Sequence, residues 1–318
     1  MSTASHVPVI DLSDPTPESI AALDQACREH GFFLIKGHGA DDLIERMWAE
    51  AARFFDAGPE VFDPLRRSED NPMGYWDREL TKRKRDHKAV FDFLDPTTPG
   101  RDAFNRWPEN LPGFRELMVE FHQTFSELAN RTLALLHQVL ELSPESEAKM
   151  VLETANSPVR INHYPVGDPV PEGERDGLIE LGETALGYHT DPGMITLLLQ
   201  DQTGGLQTED RGGNWIDVPP EPGTVVVNLA DAMQVLTNDR WRAAVHRVVP
   251  MTTERRFSIP YFGNPARHQT IEPLPELASE PRYHSFDWSE FMAARTADNF
   301  ADLGTEDAQI TDYRVASN

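Results

Sequence analysis

From residue 159 onward the chain is written in short apolar or alternating segments separated by Gly, Pro, Asn and Asp. The segments are 160–164, 186–191, 194–200, 205–208, 215–218, 224–229, 243–249 and 256–262. So many short strands within about 100 residues predict an all-β barrel or a double-sheet jelly roll.

The first half reads differently. Val7 to Leu12 and Phe32 to Ile35 are branched or aromatic runs that predict strands. Between them, Thr16-Pro17 offers an N-cap and a proline at the first helical position, with Ile20, Leu23 and Cys27 at helical spacing and Gly31 as the stop. A second helix is predicted over 41–55, and 56–111 reads as irregular. A long helix is predicted over 113–142, because Phe114, Phe121, Leu128 and Leu135 recur as one apolar stripe. Ser143-Pro144 caps a short helix, and Asp287 with Glu290 resembles a capping box opening a last helix through residue 300. The fold class is therefore α+β: a double-stranded β-helix (jelly-roll) core with flanking N-terminal helices, a long supporting helix and a C-terminal helix. Three regions are expected within one compact unit: 1–155 packing on and partly lining the barrel, 156–270 forming the core, and 271–318 supplying the final helix and tail. The acidic stretch 167–187 is long for a loop, which reads as a lid or as disorder.

Two constellations in the β region carry chemistry. In a strand, residues i and i+2 share a face, so His189 and Asp191 aim an imidazole and a carboxylate at one point, and His246 joins them from another strand. Two His and one carboxylate on one face of an octahedron leave three positions open, as in non-haem Fe(II) oxygenases. Ten residues beyond His246, Arg256 and Ser258 again share a strand face. A guanidinium fork beside a hydroxyl is a clamp for a carboxylate.

The run Tyr188-His189-Thr190-Asp191-Pro192-Gly193-Met194-Ile195-Thr196-Leu197-Leu198-Leu199-Gln200-Asp201 resembles the iron-binding block of the isopenicillin N synthase-like 2-oxoglutarate-dependent dioxygenases. The similarity continues through Arg160-Ile161-Asn162-His163-Tyr164-Pro165, Val225-Val226-Val227-Asn228-Leu229, His246-Arg247-Val248 and Arg256-Phe257-Ser258, and reaches Pro8-Val9-Ile10-Asp11-Leu12. It is thinnest over 56–111, where Gly74-Tyr75 and Lys88-Ala89-Val90-Phe91 match. Ala230 stands before Asp231 where the family usually has Gly.

The resemblance implies Fe(II) held by His189, Asp191 and His246, and 2-oxoglutarate held by Arg256 and Ser258 with Tyr164 and Asn162 near its keto-acid end. It also implies O2 as co-substrate, succinate and CO2 as co-products, and hydroxylation of a small molecule of secondary metabolism, with desaturation or ring closure as variants. The tentative substrate residues are Arg160, Phe262, Asn264, Tyr75 and Phe91. A cation at 160 beside the iron would orient an anionic or polar substrate, or else form an ordinary salt bridge; the two aromatics would equally suit a core. Three alternatives stand beside this reading: a 2-oxoglutarate-independent oxidase of the same family, a non-catalytic metal- or ligand-binding protein, and a zinc hydrolase.

Composition excludes other classes. With 29 Lys+Arg against 53 Asp+Glu the net charge is −24, and nucleic-acid binding depends on cations that displace phosphate counterions. The one basic run, Lys82-Arg83-Lys84-Arg85, reads as a solvated loop. A single cysteine, Cys27, forbids an internal disulfide and reads as a buried thiol. The N-terminus has neither a basic start nor an apolar core, and the apolar runs fall far below the ~18 residues of a membrane span. The expected setting is cytoplasmic, without membrane or nucleic-acid partners, and no signal for oligomeric state is present.

Overall fold

The computed structural model describes residues 7–68, 70–296, 304 and 307–316. The chain begins with β1 (Val9–Asp11), α1 (Pro17–Glu29), β2 (Phe32–Lys36), α2 (Asp41–Phe55), α3 (Pro59–Phe62), β3 (Gly74–Trp76), β4 (Leu80–Thr81), β5 (Lys84–Arg85) and β6 (Ala89–Phe93). Then come α4 (Phe114–Leu140), α5 (Pro144–Glu147), β7 (Val159–Tyr164), β8 (Leu186–His189), β9 (Ile195–Gln200), β10 (Leu206–Glu209), β11 (Trp215–Asp217) and β12 (Val225–Leu229). The later principal elements are α6 (Asp231–Leu236), β13 (His246–Val248), β14 (Arg256–Gly263) and α7 (Trp288–Arg295).

The caps expected from sequence are in place. The Thr16 hydroxyl oxygen accepts from the Ser19 N–H at 3.2 Å ahead of Pro17, and Asp287 accepts from the N–H groups of Ser289 and Glu290. Gly31 turns α1 into β2 at φ +65°, where a Cβ would sit 2.3 Å from the carbonyl oxygen of Arg242, so only glycine fits. The final turn of the C-terminal helix, over 297–300, lies outside the described residues.

Two sheets form the jelly roll. The large one has the order β1-β2-β12-β9-β14-β7-β6-β3, and the small one β11-β10-β13-β8. β1 and β2 are parallel, whereas the other neighbours in the large sheet run antiparallel. Strand parity sorts the side chains. One face of the large sheet, including Phe33, Ile161, Leu197 and Val227, packs on the α4 stripe of Phe114, Met118, Phe121 and Phe125. The other face, including Leu34, Tyr164, Leu198 and Val226, turns toward Leu206 and Val248 of the small sheet. Burying side chains of this size contributes roughly 1.5–3 kcal/mol each. Packing, more than intrinsic propensity, therefore holds the long helix.

The structure differs from the sequence reading in two places. Residues 56–111 are not merely irregular, because β3 and β6 extend the large sheet beyond β7. The N-terminal region thus contributes strands to the same sheet as the core. The basic run is exposed at Lys82, Arg83 and Lys84, as a solvated segment should be, but it is a hairpin rather than a loop and its last residue is buried. Lys82 and Arg83 form the turn of the β4–β5 hairpin at φ 49° and 63°, and the Lys82 ammonium lies 3.5 Å from the centre of the Tyr188 ring. Arg85 is buried in a two-pronged pair with Asp168 at 3.0 and 2.9 Å. That pair, with the Gly182 N–H donating to the Arg85 carbonyl at 2.8 Å, fastens the 167–187 segment onto the hairpin. Cys27 is buried and unpaired, as expected. Among the described residues, no helix is long and apolar enough to cross a membrane.

Candidate active site

His189 ends β8 and His246 begins β13, and the two stand opposite each other in the antiparallel ladder. Their ring centres are 4.3 Å apart. Asp191 was expected on the same strand as His189, but β8 has already ended and the turn that follows carries the carboxylate in. Its Oδ1 lies 3.6 Å from Nε2 of His189 and 4.0 Å from Nε2 of His246. The three ligand atoms fall within 4.8 Å of one another, a spacing that suits a single ion.

Every other polar atom of the three side chains is occupied. The His189 Nδ1–H donates to the Gly187 carbonyl at 2.8 Å, and the His246 Nδ1–H to the Ala244 carbonyl at 2.9 Å. Both tautomers are thereby set, with each Nε2 lone pair turned to the site. Oδ2 of Asp191 accepts from the Thr196 hydroxyl at 2.5 Å and from the Asn228 amide at 2.8 Å, which leaves Oδ1 for a metal. Burial would raise the Asp191 carboxyl, but the imidazoles and the Thr196 hydroxyl outweigh it and hold the group well below the usual range. Burial, followed by the neighbouring His189, lowers His246 to about 4. The site thus presents one carboxylate and a neutral imidazole at neutral pH, which is the donor set of a divalent cation.

An inner chamber runs from this triad to Arg256, Ser258, Tyr164 and Asn162. The register of β14 on β7 places Arg256 opposite Tyr164 and Ser258 opposite Asn162, all on the face turned to the small sheet. Asn162 donates to the Ser258 hydroxyl at 3.2 Å. Arg256 has no exposed surface, and none of its three guanidinium nitrogens has a hydrogen-bond partner among the described residues. The Oδ1 of Asn162 is likewise unpartnered. Leaving a buried cation uncompensated is expensive, so this end of the chamber is built for an anion with oxygen acceptors. A keto acid with a distal carboxylate fits between that end and a metal at the triad.

An outer chamber opens on the other side of the triad, with Leu80, Thr81, Arg160, Phe262, Asn264 and Arg295 in its wall. Arg160 is both a chamber residue and an ion-pair residue. Its guanidinium bonds twice to Glu79 (2.8 and 2.9 Å) and twice to Asp92 (2.8 and 2.9 Å). Tyr75 and Phe91 are not chamber residues. They pair across β3 and β6 on the helix-facing side and pack with Phe54, Phe55 and Phe62. Their parity decides this, since Asp92 and Val90 occupy the chamber side opposite Arg160 and Asn162.

Sequence reading missed Thr196 and Asn228, which orient Asp191, and Lys88 and Glu79, which lie in the chamber wall. Lys88 pairs with Glu79 at 2.8 Å and Asp86 at 3.1 Å. Burial works against its charge, but Asp86 and Glu79 outweigh burial and keep the ammonium protonated. The available signal was the charge alternation Asp86-x-Lys88 directly ahead of an apolar strand.

Comparison with known proteins agrees with this geometry. Residues 155–265 match the model of the 2OG-Fe(II) oxygenase superfamily, and residues 7–110 match that of the non-haem dioxygenase in morphine synthesis N-terminal region. The gibberellin 2-beta-dioxygenase 2 of Arabidopsis thaliana is 31% identical over 92% of this chain and 85% of its own. The naringenin,2-oxoglutarate 3-dioxygenase of Petunia hybrida is 33% identical over 85% of this chain and 73% of its own. The crystal structure of JOX2 with 2-oxoglutarate, iron and JA superposes with a TM-score of 0.81 at 25% identity, covering 98% of this chain and 90% of that one. Iron, 2-oxoglutarate and O2 are accordingly the metal and co-substrates of this protein. The chain belongs to the 2OG-Fe(II) oxygenase superfamily, as an Fe(II)- and 2-oxoglutarate-dependent dioxygenase of the isopenicillin N synthase-like kind.

Proposed function

We propose that His189, Asp191 and His246 hold the iron, that Arg256, Ser258, Asn162 and Tyr164 hold 2-oxoglutarate, and that the outer chamber receives a small metabolite whose C–H bond is oxidised. The observation that carries this reading is the unpartnered Arg256 guanidinium at the far end of a chamber that starts at the triad. When bound, the iron and the keto acid supply oxygen activation and C–H oxidation, with succinate and CO2 as co-products. The chain's own part is placement. Arg256 and Ser258 fix one carboxylate, and Asn162 and Tyr164 border the rest of the keto acid. Thr196 and Asn228 restrain Asp191, while Phe262 and Asn264 bound the position of the substrate. Such fixed geometry supplies most of what a protein adds to cofactor chemistry.

Relatives named for gibberellin and naringenin support a small-metabolite substrate. The acidic composition opposes nucleic acid. A single buried, unpaired Cys27 is in keeping with a cytoplasmic setting. The test is succinate release from 2-oxoglutarate across a panel of small molecules, run with iron and O2. A metabolite that accelerates succinate formation and is itself oxidised identifies the substrate. Oxidation without consumption of 2-oxoglutarate would instead assign the chain to the 2-oxoglutarate-independent oxidases.

A further inference from the structure

Lys88 stands where the two chambers meet, in the wall of both, with a side chain only 2% exposed. It belongs to a buried ionic network. Glu79 pairs with Lys88, Arg160 and Arg67, Asp86 pairs with Lys88, and Asp92 pairs with Arg160 and Arg67. Three cations (Arg67, Lys88, Arg160) thus face three carboxylates (Glu79, Asp86, Asp92), and the formal sum is zero. Fold stability does not call for such a network, because apolar side chains of the same volume serve a core as well or better.

Donor counting shows what the network offers instead. An ammonium carries three N–H bonds and a guanidinium five. Lys88 spends two of its three on Glu79 and Asp86, and Arg160 spends four of its five on Glu79 and Asp92. One N–H of each is left over from these pairs among the described residues, and both side chains line the outer chamber. These donors are held rigidly, but the charge behind them is already cancelled. A carboxylate placed against these two donors would lose its hydration and meet no net positive charge from the network in return. Arg295, elsewhere in the same wall, acts on Asp231 and spends its bonds on oxygens of Thr190 and Ala308. A carbonyl oxygen gives up far less hydration and accepts both N–H bonds.

We propose that Lys88, together with Arg160, makes the outer chamber selective for an uncharged oxygen acceptor, a ketone, lactone or amide carbonyl, over a carboxylate. This inference rests on the oxygenase reading of the site and narrows the substrate class within it. The donors anchor one end of the substrate while the apolar wall, Leu80, Leu186 and Phe262, covers the remainder.

The test uses amide and carboxylate pairs of matched shape: benzamide with benzoate, cinnamamide with cinnamate, and indole-3-acetamide with indole-3-acetate. The full-length protein is loaded anaerobically with Fe(II) and 2-oxoglutarate, and the iron-to-keto-acid absorption band is recorded. Each probe is then titrated, and the perturbation of that band gives its affinity. Formation of the band tests the oxygenase reading, whereas the preference within pairs tests Lys88. The amide of at least one pair is expected to bind about tenfold more tightly than its carboxylate. In Lys88→Met that preference is expected to fall to within about twofold. The double variant Lys88→Met/Asp86→Asn removes one charge of each sign, and it serves where the single variant fails to fold. Equal or tighter binding of the carboxylates, no response to any probe in the wild type, or an unchanged preference in the variants overturns the proposal. Loss of the band itself in both folded variants would place Lys88 in the keto-acid site and overturn it equally.

Discussion

The guanidinium of Arg256 lies 4.9 Å from the centre of the Tyr164 ring, its partner across the β7–β14 ladder, and it makes no hydrogen bond of its own. The aromatic face supports the cation without using its donors, so the fork stays available for a ligand. Arg256→Ala is expected to raise the 2-oxoglutarate requirement by roughly two orders of magnitude or more, since removing a charged, buried partner costs several kcal/mol. Iron affinity should stay close to that of the wild type. Anaerobic titration with 2-oxoglutarate checks both, and equal formation of the absorption band in wild type and variant would assign the clamp to another ligand.

Asp191 depends on its two donors. Without the Asn228 amide, only Thr196 restrains Oδ2, and the carboxylate gains freedom to turn away. Asn228→Ala is expected to weaken Fe(II) binding by about 10–100-fold, the usual effect of losing such a partner, whereas Asp191→Ala should abolish turnover with the fold retained. Fe(II) binding isotherms measured anaerobically are the check. Full turnover by Asp191→Ala at ordinary iron concentration would remove the metal assignment.

Phe91 is fully buried among Phe54, Phe93, Trp107 and Phe114. Phe91→Ala is therefore expected to cost about 3–5 kcal/mol of stability. Tyr75→Phe should leave the substrate KM unchanged, because the ring stacks on Phe62 outside the chamber. Urea unfolding reads the first, and steady-state kinetics with an identified substrate reads the second. A KM change in Tyr75→Phe would return that residue to the substrate site.

His163 gives the fold an acid-sensitive component. Burial, followed by the charge of Arg255, lowers it to about 4, and its ring stacks on Phe257 with no partner for Nε2. A depressed folded value means the unfolded chain takes up the proton first. The stability contributed by neutral His163 is thus fully present above about 6.5, its ordinary value, and declines as pH falls toward about 4. His163→Phe should lose less stability than wild type between pH 7 and pH 5, by on the order of 1 kcal/mol after allowance for partial exposure. Thermal melts at the two pH values decide it, and parallel losses would mean that His163 takes up its proton as readily in the folded chain as in the unfolded one.

The strand segments, the caps and the long helix were legible in the sequence because each is written locally, in alternation, in Thr16-Pro17, or in an apolar stripe. The candidate metal ligands and the candidate Arg256–Ser258 clamp could be picked out because His189, His246 and Arg256 each lie on strands with fixed parity. What failed was information held between segments. Tyr75 and Phe91 face the helices because β3 and β6 join the large sheet in one register, and a shift of one residue would have turned them inward. The partners of Arg160 and Lys88 are Asp92 on β6 and Glu79 and Asp86, which flank a hairpin that the charges of 78–88 disguise as loop. Asp191 reaches the site from a turn, which no period-two pattern encodes.

His189 sits on β8, which borders the small sheet with β13 on one side only. An ion shared by His189 and His246 therefore rivets the end of a border strand to its neighbour. The stretch before β8 is fastened independently of the rivet, by Arg85 and Asp168 at its far end and by the Gly182 N–H on the Arg85 carbonyl nearer the strand. Substitutions of chamber residues such as Leu80 or Phe262 leave both fastenings in place, so a lineage can exchange its substrate while keeping its metal.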